Sequence, residues 1–486
     1  MTLLKDILYK VPLNAVDGST DRSVREVHFD SRKVEKGDLF VAVRGTTVDG
    51  HEFISSAIEK GAVAVVCEEM PEQTHQDVTF IVVRSSARSL GIIASNYYGC
   101  PSNKLALTGV TGTNGKTTTV TLLFELFIKL GYNTGLLSTV ENKINEEVIP
   151  ATHTTPDPLA LNKLLHEMVQ KGCTHAFMEV SSHAVDQERI AGIIFSGGVF
   201  TNISHDHLDY HKTFDQYIKA KKYFFDQLPG QSFALANADD KRGTVMLQNT
   251  KAAKHYFGLK TLADFKGKIL SNTLEGIELE IEMTAVWFQL IGYFNAYNIM
   301  AVYATAVLLG EDHQEVLTNL SEIRPVRGRF EQVFAPNGVI GIVDYAHTPD
   351  ALENVLTTIN ELKDGNKSLI TVVGCGGDRD KGKRPVMADI ACKGSNKVVL
   401  TTDNPRNELP SAILEDMKRN LNPVHKKKML TVEDRREAIR VAVSLANPGD
   451  VILVAGKGHE TYQEVKGVRH HFDDKEELQQ MFHELN

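Results

Sequence analysis

Apolar runs of strand length alternate with helix-like stretches along most of this chain. LFVAV at 39–43, AVAVV at 62–66 and FIVV at 80–83 are such runs, so residues 1–98 predict a small α/β module. From Lys104 the pattern sharpens into an apolar strand (KLALTGV), a glycine-rich turn (TGTNG) and a segment whose Leu122, Leu123, Leu126, Phe127 and Leu130 share one helical face. Further strands are predicted at 174–178, 197–203 and 232–237 with helical patterns between them, the rhythm of a mostly parallel, doubly wound sheet. Between about 265 and 292 the period changes. Ile277, Leu279 and Ile281 alternate with Glu278, Glu280 and Glu282, which predicts a β-rich appendage on a central domain of residues 99–326.

A third unit, residues 327–486, repeats strand then helix with strands at 339–343, 369–374, 397–402 and 451–455. Each strand runs straight into polar or glycine-containing sequence: DYAHTPD, CGGDRDKGKRP, DNPRNE and GKGHE. Ligands of open α/β sheets sit beyond the carboxyl ends of the strands, so these four tails are expected to meet in one cleft. The expected fold is therefore α/β with three domains: a small N-terminal module, a central nucleotide-binding sheet and a C-terminal Rossmann-like domain.

Composition narrows the function classes. The chain has 486 residues, 42% hydrophobic and 24% charged, an ordinary globular balance that excludes disordered and collagenous classes. Its 53 Lys and Arg against 62 Asp and Glu give a net charge of −9, so no general attraction to nucleic acid or anionic lipid is expected. Five cysteines without C-x-x-C spacing indicate neither a disulfide framework nor a thiolate zinc site, and suit a reducing cytoplasm. Lys5 and Asp6 interrupt the N-terminus where a signal peptide would be apolar, and the apolar segment 299–309 is too short to span a bilayer.

The strongest chemical motif is TGTNGKTTT, residues 111–119. Backbone N–H groups of a glycine-rich loop at a helix start cradle phosphates, a lysine (Lys116) reaches the outer phosphates, and a hydroxyl (Thr117) can ligate magnesium. The strict P-loop spacing is broken at Val110, but the strand before and helix after supply the required context. Past later strand ends lie MEVSSHA, with Glu179, and TNISHDHLDYH, with His205, Asp206, His207, Asp209 and His211. The histidines fit a separate transition-metal site or satisfied structural roles. A nucleotide loop in the same sheet favours Glu179 as an oxygen ligand for phosphate-bound magnesium. Lys219, Lys221 and Lys222 of YIKAKKYFF read as a solvated basic helix face. In the third unit, Arg379, Lys381, Lys383, Arg384, Asp403, Arg406 and Glu460 describe a pocket for a zwitterion, with a surface salt-bridge network as the alternative.

At these motifs the chain resembles the Mur ligases, ATP-dependent amide-forming enzymes of peptidoglycan precursor synthesis. The resemblance covers essentially the whole chain, in family order: HFDSRKVEKGDLFVA, GVTGTNGKTTT, THTTPDP, MEVSSHA, TNISHDHLDYH, YIKAK, FNAYN, RGRFE, VDYAHTPDAL, GCGGDRDKGKRP, DNPR and GKGHETYQ. It implies ligation of meso-2,6-diaminopimelate to UDP-N-acetylmuramoyl-L-alanyl-D-glutamate with ATP and Mg2+, by a cytoplasmic monomer with no nucleic-acid partner and no membrane insertion. By the same resemblance Ser31, Thr154, Thr155, Ser181, Gln187 and Arg189 hold the UDP-sugar dipeptide. ATP falls to Gly112, Thr113, Asn114, Gly115, Lys116, Thr117 and Thr118 with Asn295, Arg329 and Asp344. Thr117, Glu179, His207 and a carbamylated Lys221 are implied as the metal set, and Lys116, Glu179, His207 and Lys221 as catalytic.

Diaminopimelate is implied to meet Arg379, Asp403, Asn404, Pro405, Arg406, Gly456 and Glu460. Lysine-adding relatives lack the arginine of DNPR, and the physics agrees: Arg406 can pair with the distal carboxylate that lysine does not have. Relatives commonly carry Asp where this chain has Leu409, and Arg or Lys where it has Tyr293. A hinge at 325–330 (PVRGRF) is expected to close the third domain on the second. The rival readings are a lysine-adding Mur ligase, opposed by Arg406, a folylpolyglutamate-type ligase, opposed by the separate N-terminal module, and a silent nucleotide-binding paralogue, opposed by retention of Lys116, Glu179, His207, Lys221 and Arg406.

Overall fold

The computed structural model describes residues 2–45, 48–151, 154–204 and 208–484, with the side chains of 208 and 209 also left aside. Three sheets organise these residues. The N-terminal sheet has five strands in the order Leu13–Asp17, Thr79–Val83, Ala64–Cys67, Leu39–Val41 and Val27–His28, parallel except for the first pair. The three apolar runs form its interior. The edge strand Leu13–Asp17 is exposed along its whole length, which is why no apolar run marks it in the sequence.

The central sheet has eleven strands, and its middle follows the order Thr134–Leu137, His175–Glu179, Ala106–Thr111, Gly197–Phe200, Phe233–Asn237 and Ala253–Gly258, all parallel. The strand that leads into the phosphate loop therefore lies near the centre, with Glu179 at the end of its neighbour. An antiparallel hairpin, Glu141–Ile144 with Glu147–Pro150, closes one edge. At the other edge the expected appendage, Phe265–Asn272, Ile277–Ile281 and Thr284–Phe288, is continuous with the sheet. Two residue pairs, Phe257 with Phe265 and Gly258 with Lys266, make the join.

The helix Lys116–Lys129 buries Val120 and Phe124 as well as the expected Leu122, Leu123, Leu126 and Phe127. It is covered on its outer side by the helix Tyr293–Leu308, whose Ile299, Met300, Ala301 and Val302 are fully buried. Burial on both sides explains the apolar segment 299–309 as a core helix, and no helix among the described residues is long and apolar enough to cross a membrane.

The third sheet runs Glu331–Phe334, Ile340–Asp344, Val451–Ala455, Leu369–Cys375, Lys397–Thr402 and Met429–Thr431, parallel except for the first pair. The four strands singled out from the sequence are its four inner neighbours. Their polar tails consequently emerge side by side. The N-terminal unit packs tightly on the central one: a Cβ on Gly91 would stand 2.4 Å from the Ala191 carbonyl oxygen, and Arg88 pairs with Glu188 at 3.1 Å.

Candidate active site

A cavity of about 1260 Å³ opens between the carboxyl edges of the central and third sheets. Its wall includes Thr113 to Thr118, Glu179 and Lys221 from the central unit, and Arg329, Asp344, Arg379, Asp403, Asn404, Arg406, Gly456 and Glu460 from the third.

The phosphate end is made by the turn into the helix Lys116–Lys129. Gly115 occupies the N-cap with φ +86° and carries no side-chain cap, and amides at a helix start are the groups that meet an anion. A Cβ at Gly115 would come within 2.4 Å of Asn298 Oδ1, so close approach also demands glycine here. Lys116 Nζ donates to the Gly112 and Thr113 carbonyls, both at 2.9 Å, and so lies folded over the loop. Thr117 Oγ1 donates to Glu179 Oε1 at 2.9 Å, and the same carboxylate oxygen accepts from Thr139 N at 2.7 Å.

Lys221 is 1% exposed and donates to the Gly112 carbonyl at 2.8 Å. The solvated reading of YIKAKKYFF holds for Lys219 and fails for Lys221, because the Tyr217–Lys221–Phe224 side of the helix Phe214–Asp226 faces inward. Among the described residues no three His, Cys, Asp or Glu side chains converge as a metal site. His205, Asp206 and His207 lie outside the described residues.

The third unit reaches across to this loop. Asp350, in the first turn of the helix Pro349–Leu362 capped by Thr348, accepts from Asn114 Nδ2 and Ser204 Oγ, each at 2.8 Å. Arg329 donates to Thr117 Oγ1 at 3.1 Å and lies over the Tyr345 ring at 4.6 Å. Asp344 accepts from the Phe330 and Ala346 amides at 2.7 and 2.8 Å. Burial pushes its carboxyl up, and Arg329 opposes that shift. Asn295 is buried behind Asn298, accepting from its amide at 2.8 Å, so Asn298 rather than Asn295 faces the cavity.

The residues expected to hold the dipeptide form one strip beside Glu179. Thr139 Oγ1 donates to Thr154 Oγ1 at 3.1 Å, Thr155 Oγ1 to the Glu179 carbonyl at 2.8 Å, and Arg189 to the Thr155 carbonyl at 2.8 Å. Arg189 is held in turn by Gln187 Oε1 at 2.6 Å, and Ser181 caps the helix Ser182–Asp186. Ser31 is not part of the cavity wall; it lies in the N-terminal unit, where Lys60 binds its carbonyl at 2.9 Å.

At the amino-acid end, the basic cluster of GCGGDRDKGKRP divides. Arg384 is 0% exposed and spends its guanidinium on Glu408 at 2.8 Å and Asp416 at 2.9 Å, with Lys381 also on Glu408. Those two cations belong to the salt-bridge alternative and hold the loop. Arg379 and Lys383 face the cavity. Arg406 has φ +50°, an uncommon backbone state for a side-chain-bearing residue. Both of its backbone groups are pinned, its N–H by the Glu464 carbonyl and its carbonyl by the Lys466 amide. Its guanidinium donates to the Gly377 carbonyl at 2.8 Å.

Asn404 Nδ2 donates to Glu460 Oε2 at 2.8 Å. Gly456, at φ +117°, would place a Cβ 3.2 Å from Asp403 Oδ2, so glycine leaves that carboxylate its room. Burial and the charge of Asp403 push the Glu460 carboxyl up. Burial, with Arg329 next, pushes the His459 imidazole down to about 3, so it is neutral beside Tyr345.

Asn298, Asp350, Lys457 and His459 were not singled out in the sequence. Each stands within three residues of one that was or inside a quoted motif, so the motif marks the place but not the side chain. The two departures lie outside the cavity wall. Leu409 is 68% exposed at the N-cap of the helix Pro410–Lys418, without a side-chain cap. Tyr293 carries the Lys260 ammonium over its ring at 5.1 Å, so a cation still stands at that position.

Three family models match: "Mur ligase family, catalytic domain" at residues 23–98, "Mur ligase middle domain" at 110–306 and "Mur ligase, glutamate ligase domain" at 328–458. The chain is 64% identical over 473 residues to the UDP-N-acetylmuramoyl-L-alanyl-D-glutamate--2,6-diaminopimelate ligase of Cytophaga hutchinsonii, covering 97% of each. It is 57% identical over 479 residues to the protein of the same name from Parabacteroides distasonis, covering 99% of each. A solved structure of a ligase of that name aligns with TM-score 0.71 at 32% identity, over 100% of this chain and 99% of the other.

Proposed function

The chain belongs to the Mur ligase family, and we propose that it joins meso-2,6-diaminopimelate to UDP-N-acetylmuramoyl-L-alanyl-D-glutamate at the expense of ATP, in peptidoglycan precursor synthesis. The observation that carries this reading is the single cavity shared by the Gly115–Thr118 turn and the Asp403–Arg406–Glu460 group. In it the N-terminal unit takes the uridine end of the substrate at Ser31, the central unit takes ATP and the dipeptide, and the third unit takes the amino acid. A monomeric enzyme is part of the same proposal. Unpaired thiols at all five cysteines suit the cytoplasm.

A carboxylate is a poor electrophile, so the D-glutamyl side-chain carboxylate first attacks the γ-phosphorus of ATP and ADP leaves. Lys116 and the N–H groups of the uncapped helix start stabilise the charge on the transferring phosphoryl group. The Thr117 hydroxyl and Glu179 carboxylate are hard oxygen donors that fit magnesium. Phosphate oxygens and water would supply its other ligands, and the ion would neutralise phosphate charge. His207 and a carbamylated Lys221 belong to the same reading, carbamylation turning a buried cation into an anion beside the loop.

The amine of diaminopimelate, having lost one proton, then attacks the acyl carbon. Phosphate departs with one former carboxylate oxygen, and a second proton leaves the nitrogen to give the amide. Arg406 pairs with the distal carboxylate, while Asp403 and Glu460 take an ammonium. Rotation about 325–330 brings the amine to the acyl phosphate and keeps water out. Gly328 is the pivot, with φ +66° and no room for a Cβ against His459 N.

The test uses the dipeptide substrate labelled with 18O in its D-glutamyl carboxylate. With ATP and diaminopimelate the tripeptide product should form and one label should appear in the released phosphate. Product without label in phosphate would exclude the acyl phosphate, and no product would exclude the reaction.

A further inference from the structure

The floor of the amino-acid end holds a charged side chain that no part of the reaction described above uses. Lys457 is 0% exposed and is not in the cavity wall. Its ammonium stands 3.1 Å from Glu460 Oε2, 3.2 Å from Asn404 Oδ1 and 3.7 Å from Asp403 Oδ1. All three of these residues line the cavity. Asp403 Oδ1 is buried and makes no hydrogen bond.

We propose that Lys457 is the positioning residue of the diaminopimelate site: a resident ammonium that holds Glu460 and Asn404 in place and sets the pocket floor to accept one further ammonium. The inference rests on the proposed placement of diaminopimelate at Asp403, Arg406 and Glu460. A buried carboxylate (Asp403) and a half-buried one (Glu460) on one pocket floor disfavour each other's ionisation unless a cation stands between them. With Lys457 the floor carries one net negative charge, which the substrate ammonium neutralises.

The surroundings leave that count intact. Arg435, from the helix Arg435–Leu445, is also buried, but Asp474 takes its guanidinium in two hydrogen bonds of 2.7 Å. On the hairpin side, Arg406 has Glu464 at 3.9 Å, and Tyr462 lies between Lys457 and Arg469. Tyr345 and the neutral His459 complete the side toward the phosphate loop. Glu460 is the group in this set whose ionisation Lys457 favours most directly, by a charge-assisted hydrogen bond.

The experiment compares Lys457→Met, Lys457→Gln, Lys457→Arg and Glu460→Gln with the native enzyme, in the full reaction and across pH. Losing a buried charge-assisted bond should raise the KM for diaminopimelate by about 10-fold or more in Lys457→Met and Lys457→Gln. The KM for ATP should stay within about twofold, since Lys457 does not touch the phosphate end. The acid limb of kcat/KM for diaminopimelate should move to higher pH, because Glu460 protonates earlier without the ammonium, and Lys457→Arg should recover part of both effects.

An unchanged KM and acid limb in Lys457→Met and Lys457→Gln, with Glu460→Gln impaired, overturns the role of Lys457 alone. An unimpaired Glu460→Gln overturns the placement of diaminopimelate itself. Equal losses for all three substrates, or loss of nucleotide binding in both neutral variants, make Lys457 a folding residue and overturn the proposal.

Discussion

The two ends of the cleft are built on opposite plans. At the phosphate end the groups proposed to meet ATP are backbone amides of one contiguous turn, with Lys116 and Thr117 in the next two positions. At the amino-acid end the groups proposed to meet the substrate are mostly side chains, drawn from the tails of different strands, with the buried Lys457 beneath them. In the proposed reaction a backbone cradle meets the phosphates whichever amino acid is used, whereas a side-chain pocket can be altered one group at a time, so the proposal assigns selection between amino acids to the second end.

Breaking the phosphate end should produce the largest effect. Lys116→Ala removes the cation at the loop, and phosphate release should fall by about 10³-fold or more, whichever amino acid is supplied. A loss that depended on the amino acid would contradict the division between the ends. A smaller effect is expected from Lys221: depleting bicarbonate should slow the native enzyme and leave the residual rate of Lys221→Ala unchanged. Equal slowing of both would exclude a carbamylated Lys221.

The amino-acid end can be loosened through its supports. Arg384 holds the Glu408 carboxyl down at about 2. A depressed carboxyl contributes stability that is present above its ordinary value of about 4.5 and is lost as pH falls through about 2. The melting temperature of Glu408→Gln should therefore lie below that of the native chain at neutral pH, and the gap should narrow as pH drops below about 4.5. A gap that widened in acid would reverse the sign assigned here. The smallest effect is a gain. Leu409→Asp supplies the missing cap of the helix Pro410–Lys418, worth about 0.5–2 kcal/mol, and should raise the melting temperature while leaving the diaminopimelate KM in place.

The same difference in plan explains what could be read from the sequence. The phosphate loop was legible because its groups are consecutive and its strand and helix are strongly patterned. The four strand tails were legible as one cleft because parallel topology forces them together. Arg379 and Arg384 could not be told apart, since the carboxylates that claim Arg384 lie 24 and 32 residues further on. Lys221 reads as solvated because it stands among other lysines, of which Lys219 is exposed and Lys222 pairs with Asp226, and the inward side of the helix that carries Tyr217 and Phe224 buries it. The strands Thr134–Leu137 and Ala253–Gly258 went unseen: the first is four residues with a glycine, and the second begins on the exposed residues Ala253 and Lys254. His207 was named from its motif and lies outside the described residues.

The most direct measurement is ATP-dependent phosphate release with UDP-N-acetylmuramoyl-L-alanyl-D-glutamate, comparing meso-diaminopimelate with L-lysine in the native enzyme and in Arg406→Ala. The native enzyme should prefer diaminopimelate strongly. Arg406→Ala should lose about 30-fold or more in kcat/KM for diaminopimelate, change little for lysine, and keep its KM for ATP. A native preference for lysine, or a selectivity that survives Arg406→Ala, would contradict the assignment of selection to the side-chain end of the cleft.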